Sequence, residues 1–338
     1  MLAGFIISYP PTGIKIEGGL MVTEFKNILE VAKNFEDPKD CLNYIATMRW
    51  DGHVICPFKT CGHDKIYVLK GRYQQFKCAK CRRHFSAIKG SIFENSPIPL
   101  QKWMMAVYLI IRKKSVSSLQ LAADITVTQK TAWFMNQRIR YAMEIGSFEM
   151  AKDGAYQADE TYVGGKNKNR HANKRIPKAQ GRSLKDKTPV IGIIGSDGKL
   201  HMEVAKDTKA KSIEPFIAKY ASPGSIIITD EWTAYKQLNK KYDHVVLLHK
   251  NEEYVRGAFH TNTIEGAWSL FKRNLDGIHH WVSKKHLHRY IAEFKHRYNT
   301  RDLTGPAKFE SVLKNADRRL TYMQLTGKDE TQEKTAAL

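Results

Sequence analysis

Two close pairs of cysteines place the strongest constraint on what this chain can fold into. Cys56 and Cys61 form the first pair, Cys78 and Cys81 form the second, and sixteen residues separate the two pairs. Two tight turns that each present a pair of thiols converge on one tetrahedral Zn²⁺. The first pair has four intervening residues instead of the commoner two. The spacing still predicts a zinc ribbon, which we assign to residues 41–92.

The segment between the pairs favours a small β-sheet. KIYVLKGRYQQFK at 65–77 is typical of a β-hairpin that turns at Gly71, and RRHF at 82–85 continues as another strand. Disulfides are the alternative for the four thiols, but nothing in the sequence indicates secretion, and structural disulfides are rare in reducing compartments. His63 could replace one cysteine as a ligand, although we interpret it as a neighbouring surface residue. Cys41 lies outside the pattern and is expected to be a packed thiol.

The charge of the chain indicates a polyanionic partner. Its 55 Lys and Arg residues outnumber 34 Asp and Glu residues and give a formal net charge of +21, while its 42% hydrophobic content is ordinary for a globular protein. That charge exceeds what solubility requires, so double-stranded DNA is the first candidate, and a merely solubilising basic surface is the alternative. No apolar stretch approaches the roughly 18–20 residues that span a bilayer. We therefore expect a cytoplasmic protein rather than a membrane protein.

The N-terminal residues carry little pattern. A short apolar run in residues 1–20 is interrupted by Pro10 and Pro11 and lacks the basic segment that opens a signal peptide. We interpret this stretch as disordered, or as an extension upstream of a protein that begins at Met21. Residues 1–40 are therefore predicted to be an N-terminal extension with a short helix.

After the ribbon, helical periodicity predicts a helix-turn-helix within residues 97–145. An apolar helix at 97–114 precedes the pair, which consists of SSLQLAADI at 117–125 and QKTAWFMNQRIRYAM at 129–143. Thr128 is the expected N-cap of the second helix, whose first turn usually reads base edges in such a motif. An ordinary helical hairpin that links domains is the alternative. The candidate DNA-reading residues are Gln129, Lys130 and Thr131.

From about residue 152 the hydrophobic pattern alternates between strands and helices. With a hairpin signal, SDGK, at 196–199, the order of elements matches a ribonuclease H-like α/β fold, which we assign to residues 152–310. In that fold the first and fourth strands lie side by side at the centre of the sheet. The strand candidates are 155–163, 189–196, 199–205, 225–230 and 244–249. The helix candidates are 209–221, 232–241, 262–275 and 285–299.

Three acidic residues are the candidate metal ligands of this domain. Asp159 lies in the first strand, Asp230 ends the fourth, and Glu265 follows after thirty-four intervening residues in a helical stretch. Because the two strands are neighbours, the sheet brings the distant aspartates together. Carboxylate oxygens bind hard divalent cations such as Mg²⁺ or Mn²⁺, and such sites cut and join phosphodiester bonds. Lys272, seven positions after Glu265 and about two turns along the same helix face, suits a DNA phosphate.

Neighbouring acids leave a choice at both strand positions. Glu160 follows Asp159, and Glu231 follows Asp230. Since consecutive side chains of a strand point to opposite faces, only one acid of each pair lines the site. We choose the aspartates, because Asp230 ends a strand, where α/β sites gather, and because a short carboxylate holds a cation more rigidly. Any one of these acids, taken alone, is typical of a solvated surface charge.

A strongly basic insertion at 164–187 lies between the first two strands and has nine Lys or Arg residues against one Asp. So polar a segment has little to bury, and it is predicted to be mobile alone and to order on DNA phosphates. A solvated loop without defined contacts is the alternative. Residues 311–338 are expected to form a C-terminal helix and a disordered tail. The candidate DNA contacts of the insertion are Lys166, Lys168, Arg170, Lys174 and Arg175.

Four blocks of the sequence carry a family resemblance. The sequence resembles the ISXO-type insertion-sequence transposases over roughly residues 41–310, and its zinc ribbon matches the usual N-terminal part of that family. The last two blocks are long enough to be specific. The blocks are DETYVGG (159–165), TDEWTAY (229–235), HTNTIEGAWSLFKR (260–273) and HHWVSKKHLHRYIAEFKHRYN (279–299).

The resemblance implies that Asp159, Asp230 and Glu265 are the catalytic triad of a DDE transposase, and that Lys272 is the basic residue that accompanies the third acid. One departure concerns the third position, where some family members use asparagine, because Asn262 lies in the same block.

The spacing of Glu265 from Lys272 favours the glutamate as the third acid. Asn262 then becomes a supporting or DNA-contacting residue. Arg273, which follows Lys272, is a further candidate DNA contact.

The predicted function is therefore that of a DNA transposase that uses two divalent cations. It would bind terminal inverted repeats through the ribbon and the helix-turn-helix, cleave DNA, and join the freed 3′-hydroxyl to target DNA. Since two ends must be paired, a homodimer or a larger assembly is expected. A DNA-binding regulator that has lost cleavage is one alternative, and a ribonuclease H-like nuclease or junction resolvase that cuts without joining is another.

Overall fold

The fold is that of a computed structural model of the 338-residue chain. It divides into two compact units, the first formed by Met1–Ile145 with Leu303–Leu338 and the second by Gly146–Asp302. The predicted extension at 1–20 and its possible start at Met21 lie outside the described residues. Those residues are 25–69, 75–144, 148–165, 167–177, 183–247, 255–256 and 259–327, with the backbone alone described for Lys168 and for 255–256.

The first unit contains a small antiparallel sheet. Its strands are β1 (Ile66–Val68), β2 (Gln75–Cys78) and β3 (His84–Ser86). They pair in the order β1-β2-β3, with Phe76 opposite Phe85 and both rings buried. The hairpin and the third strand predicted for this region are thus present. The predicted turn at Gly71 lies outside the described residues.

Helices make up the rest of the first unit. They are α1 (Ile28–Asn34), α2 (Pro38–Trp50), α3 (Leu100–Arg112), α4 (Ser118–Ile125), α5 (Gln129–Met143), α9 (Gly305–Lys314) and α10 (Tyr322–Thr326). Helix α3 is strongly apolar, and Trp103, Met104 and Val107 are almost fully buried within the core. It begins after Pro99, as its sequence predicts, because proline is tolerated where the first backbone N–H groups have no partner within the helix.

The paired helices α4 and α5 form where periodicity predicts them. The Ser117 side chain accepts a hydrogen bond from the Gln120 N–H, and the Thr128 side chain accepts one from the Thr131 N–H, so both helices begin at a capping hydroxyl. Helix α4 ends at Thr126 in the left-handed conformation, with φ of 53°. Only Thr126, Val127 and Thr128 separate the two helices.

The region at 311–338, for which a C-terminal helix and a tail are predicted, contains the end of α9 and the short helix α10. Between these helices the chain at 316–321 is neither helix nor strand, and it is anchored to the rest of the unit. Its anchor is the buried Arg138, which donates to the carbonyls of Leu320, Ile92 and Glu94. Residues 328–338, which contain the predicted tail, lie outside the described part of the chain.

The second unit is built on a five-stranded sheet. Its strands are β4 (Ala155–Val163), β5 (Thr188–Gly195), β6 (Leu200–Val204), β7 (Ile226–Asp230) and β8 (Asp243–Leu247). They lie in the order β6-β5-β4-β7-β8, with β4 parallel to β7, β7 parallel to β8, and β5 antiparallel to both neighbours. This is the predicted order of the ribonuclease H-like fold, with the first and fourth strands side by side. A further pair, β9 (Val255–Arg256) and β10 (Phe259–His260), is antiparallel.

Helices cover both faces of this sheet. Helix α6 (Ala210–Tyr220) packs on one face, in a core that includes Tyr156, Ile193 and Ile227. Helices α7 (Asn262–Asn274) and α8 (Leu287–Asn299) share a core with Val190 on the other face. None of the helices in the described part of the chain has both the length and the apolar character that a bilayer crossing demands.

The helix predicted at 232–241 is wrong. The chain forms two short 3₁₀ turns there, Thr233–Tyr235 and Leu238–Lys240. Tyr235, Leu238 and Tyr242 are buried at intervals of three and four residues, which imitates helical periodicity. Successive 3₁₀ turns present the same side chains inward over a short connection between two parallel strands. Elsewhere the predicted strands and helices of this unit agree with the structure to within about two residues at the ends that are described, which is the usual margin.

Candidate active site and metal centres

Asp159 lies at the centre of the sheet in the second unit. Its strand, β4, is paired on both sides, and on β5 its partner in the register is Gly192. The Trp268 indole N–H from helix α7 donates to Asp159 Oδ2 over 2.9 Å. The Asp159 carboxylate therefore faces the side of the sheet that α7 covers.

Glu160 points to the opposite face of the sheet. It is 6% exposed, and the hydroxyl of the buried Tyr235 donates to its Oε2 over 3.0 Å. The alternation expected for consecutive strand residues holds at this pair. Glu160 is thus held in the interior, away from Trp268 and from helix α7.

Asp230 ends the strand that runs parallel to β4. Gln157 of β4 pairs with Ile228 of β7, and two residues further along both strands Asp159 comes level with Asp230. In a parallel pair such neighbours point to the same face. The Trp232 N–H donates to Asp230 Oδ1 over 3.1 Å, which fixes the carboxylate at the C-terminal end of the strand.

Asp159, Glu160 and Asp230 bring their negative charges close together around a largely buried position. Burial is the largest cause that raises the pKa of Asp159 from 3.8 to about 7, and the charges of Glu160 and Asp230 add to it. The same three carboxylates, after burial, raise the pKa of Tyr235 well above its ordinary value. Neighbouring carboxylates repel one another, and a bound divalent cation reduces that repulsion. Asp159 and Asp230 therefore fit such a cation.

Glu265 occupies the first turn of helix α7 and is exposed to solvent. The Thr261 hydroxyl donates to its Oε1 over 2.8 Å. Among the described residues, the one group of three or more side chains arranged to hold a metal ion is that of the four ribbon cysteines, whose sulfurs lie within 4.8 Å of one another. The structure brings the two aspartates together but does not close a three-acid cluster with Glu265. Asn262 and Lys272, on the same helix, are also exposed.

Three residues that support this site escaped the sequence analysis. Gln157, two positions before Asp159 on the same strand face, accepts a hydrogen bond from the Ile264 N–H and donates to Thr263 Oγ1, so it fixes the first turn of α7. Trp268 holds the Asp159 carboxylate, and Gly192 leaves room for its ring. Gln157 could have been found from the two-residue period of the strand, and Trp268 from its position three residues after Glu265.

The four cysteines of the first unit have the geometry of a zinc site. All are free thiols, with Sγ atoms 3.7 Å apart for Cys56 and Cys81 and 3.6 Å apart for Cys61 and Cys78. A tetrahedral ion with Zn–S bonds of about 2.3 Å spaces its sulfurs about 3.8 Å apart, whereas a disulfide needs about 2.05 Å. The cysteines therefore fit Zn²⁺.

The backbone around the cysteines forms two matching turns. Gly62 and Arg82, which follow the second cysteine of each pair, have φ of 55° and 56°. In one turn the Cys61 N–H donates to the Phe58 carbonyl, and in the other the Arg82 N–H donates to the Cys78 carbonyl. Each pair is thus followed directly by a residue in the left-handed conformation.

Comparison with known proteins decides the family. The ISXO2-like transposase domain matches residues 153–299, and the transposase zinc-ribbon domain matches residues 36–84. A protein in transposable element ISH50 of Halobacterium salinarum is 30% identical over 296 residues, which cover 84% of this chain and 98% of that protein. The chain belongs to the ISXO2-like transposase family. Its strands β4 to β8 and helices α6 to α8 all lie within the matched transposase domain.

Two solved structures of the Mos1 transposase show a weak similarity to the chain. The pre-cleavage Mos1 transpososome is 12% identical, covers 65% of this chain and 80% of its own, and has a TM-score of 0.23. The Mos1 paired-end complex with the left transposon end is also 12% identical, covers 64% and 79%, and has a TM-score of 0.22. The sheet order and the family match carry the assignment of the fold.

The candidate DNA-reading turn of the transposase opens helix α5. Gln129 and Lys130 are exposed there, and Thr131 is half-buried. The Lys130 ammonium lies 5.7 Å from the centre of the Tyr322 ring, so the short C-terminal helix α10 borders this turn. Two of the three predicted side chains are therefore accessible.

Part of the basic insertion forms local structure in the residues that are described. Two 3₁₀ turns form at Asn167–Asn169 and Ala172–Lys174. The Asn167 side chain both donates to and accepts from the backbone of Ile176. Among the candidate contacts, Lys174 and Arg175 are exposed and Arg170 is half-buried, while Lys166 and the side chain of Lys168 lie outside the described residues.

Replacing Gly192 by alanine should dislodge Trp268. A Cβ at this position would lie 2.5 Å from the Trp268 Cη2 and 2.7 Å from its Cζ2, and the ring is only 4% exposed. The ring must shift and weaken its bond to Asp159, so the variant should lose about 1–3 kcal/mol of unfolding free energy, as overpacked cores do. Denaturant unfolding, followed by tryptophan fluorescence, measures this loss.

Gly266→Ala is the matched control for that substitution. Gly266 lies within α7, and a Cβ there meets nothing within 4 Å. Alanine should stabilise this helix by about 0.5–1 kcal/mol. A Gly192→Ala protein as stable as the parent would show that the Trp268 ring is not confined as described.

Proposed function

We propose that this protein is a DNA transposase that cuts DNA at the ends of its own element with divalent cations and joins the freed 3′ ends to target DNA. The observation that carries the proposal is the pairing of β4 with β7, which sets Asp159 beside Asp230 under a helix that bears Glu265. Membership of a transposase family supports it.

Each acid has a distinct part in the proposal. Asp159 and Asp230 are the ligands that the sheet preorganises, and the Trp268 N–H orients the first of them. Glu265 completes the set when its side chain turns from Thr261 toward the aspartates as DNA and cations bind. Asp159, Asp230 and Glu265 would hold two divalent cations, Mg²⁺ or Mn²⁺, and these would supply activation of a water or of a DNA hydroxyl and stabilisation of the leaving oxygen.

Helix α7 aligns the DNA strand in this proposal. Glu265, Ser269 and Lys272 are spaced at three- and four-residue intervals and are exposed along one face. The Lys272 ammonium would hold a phosphate close to the cut, and Arg273 would hold its neighbour. Asn262, at the first position of the helix, would contact DNA beside the site.

DNA ends would be bound by basic and polar residues of both units. The net charge of +21 on the whole chain would supply affinity for phosphates, which is sequence-independent and weakens with salt. The exposed Gln129 and Lys130 at the start of α5, with Thr131, would add base contacts, which set the sequence. Lys174 and Arg175 of the insertion are exposed and suit phosphates. Two such ends must be joined in one event, so the active form would be a homodimer or larger.

One assay tests the proposal against its alternatives. Short inverted repeats flanking the gene would supply the end sequence, and labelled ends would be incubated with the full-length protein, Mg²⁺ and a plasmid target. We expect cleavage followed by joined products. Binding alone would identify a regulator, and cleavage without joining would identify a nuclease or resolvase; either result contradicts the proposal.

A further inference from the structure

Trp281 is far more exposed to solvent than the other tryptophans of the chain. Its residue surface is 73% exposed, whereas the remaining five of the six tryptophans are buried or half-buried. A buried aromatic ring removes about 150–250 Å² from water, so leaving this one exposed forgoes a large gain for the folded state. A ring left out at that cost is a candidate contact for a partner.

The backbone on both sides of Trp281 is anchored. Helix α7 runs on into a π-helical turn, Leu275–His279, whose first residue is buried. His280 then adopts φ of 57°, which is uncommon for a residue with a side chain. Its ring Nδ1–H donates to the Asp276 carbonyl oxygen, with 3.0 Å between Nδ1 and that oxygen. On the other side, Val282 packs against the core. The indole is therefore held outward by a defined turn, and π-helical turns occur often at functional sites.

The charge around the ring favours a polyanion over a protein partner. Residues 277–292 contain no Asp or Glu, and they include two lysines, one arginine and four histidines. Lys284, Lys285 and His280 are exposed beside Trp281. The positive charge affects nearby groups. Burial is the largest cause that lowers the pKa of His286 to about 4, and the charges of Arg289, Lys285 and His288 lower it further. An aromatic ring within such a field is the arrangement that binds unpaired nucleic-acid strands.

We propose that Trp281 stacks on an unpaired nucleobase of the DNA strand held in the active site, while Lys284 and Lys285 bind the phosphates beside that base. This inference rests on the proposed function, because it assumes that DNA lies along helix α7. The helix and its π turn carry the chain about 1.5 Å per residue from Glu265, which amounts to roughly 20 Å at His279, two residues before Trp281. At about 3.4 Å per stacked nucleotide, the captured base lies within about six nucleotides of the cut.

The proposal predicts that one base of the bound DNA leaves the base stack only when residue 281 carries an aromatic ring. DNA ends carrying 2-aminopurine at single positions, up to eight nucleotides either side of the cut, would be bound by the full-length protein without divalent cations. We expect a severalfold rise in fluorescence at one or two positions. Trp281→Phe should keep at least half of the rise, whereas Trp281→Leu should lose most of it and bind the ends about fivefold to a hundredfold more weakly.

Leucine is the matched control for the alternative of a protein contact. Trp281→Leu keeps an apolar side chain, so a dimer contact should survive it better than base stacking does. The ring is exposed, so both variants should unfold within about 0.5 kcal/mol of the parent. Equal fluorescence changes in the parent and in Trp281→Leu, or no change at any position, would overturn the inference. A shift to monomer in Trp281→Ser, which removes the apolar side chain, with the fluorescence rise retained would overturn it in favour of a subunit contact.

Failure of this inference is separable from failure of the proposed function. The fluorescence measurement needs binding but no chemistry, and it is repeated in Asp230→Asn, which should keep the rise. A parent protein that cleaves and joins ends without any Trp281-dependent rise would refute base capture alone. A parent protein that never cleaves would refute the transposase proposal, whatever the fluorescence shows.

Discussion

Asp230→Asn is expected to abolish cleavage of labelled element ends while leaving their binding within a few fold. The substitution keeps the shape of the side chain and its bond from the Trp232 N–H, but removes the charge that a divalent cation needs. Loss of several kcal/mol of metal-dependent stabilisation corresponds to at least about a thousandfold in rate. Gel-resolved cleavage in Mg²⁺, with binding measured in parallel, gives both quantities.

Glu231→Gln is the matched control, because it changes the adjacent acid at the end of the same strand. We expect it to cut at close to the parent rate. The Asp230→Asn protein should also remain folded, since the charge of Asp230 is one of the causes that disfavour ionised Asp159 in the folded state. An active Asp230→Asn protein, or a Glu231→Gln protein as inactive as it, would refute the choice of ligand at this position.

Cys78→Ser should remove zinc from the protein and unfold its ribbon. Cys78 is fully buried, and its Sγ lies 3.6 Å from that of Cys61. Structural Zn²⁺ binding contributes on the order of 10–16 kcal/mol to small zinc domains, far more than three short strands can supply by packing. We expect zinc content to fall from about one ion per chain to nearly none, and end binding to fall with it.

Cys41→Ser is the matched control for zinc loss. Cys41 is equally buried, but its thiol donates to the Phe35 carbonyl and lies outside the four-cysteine group. Its serine variant should keep one zinc ion per chain. Elemental analysis with amide hydrogen exchange across 56–86 separates the two outcomes. A Cys78→Ser protein that retains zinc and normal exchange protection would remove the zinc-ribbon interpretation.

Topology was the part of the fold most open to prediction. The apolar runs and the SDGK turn mark strands by their two-residue period, and once a ribonuclease H-like order is chosen, β4 must lie beside β7. The start of α5 was readable from Thr128, because capping is a local hydrogen bond. The spacing of the two cysteine pairs also predicted that they converge, because four thiolates are the ligands of one tetrahedral Zn²⁺.

Contacts between distant elements could not be read in the same way. Tyr235 and Leu238 satisfied a helical period, but the short link between two parallel strands forms 3₁₀ turns instead. The use of Gly192 as space for Trp268 depends on how α7 crosses the sheet, which no local pattern encodes. The hydrogen bond that the Glu265 carboxylate accepts from the Thr261 hydroxyl was likewise not readable from the spacing of the three acids.

Diffraction from crystals of the protein with its DNA end and Mn²⁺, recorded for the anomalous signal of manganese, tests the central claim most directly. Two peaks about 4 Å apart are expected, each within about 2.2 Å of a carboxylate oxygen. Asp159 and Asp230 should both contact them, with Glu265 turned away from Thr261 as the third ligand. Peaks that contact neither aspartate, or an absence of manganese between them in crystals that contain the DNA, would contradict the account.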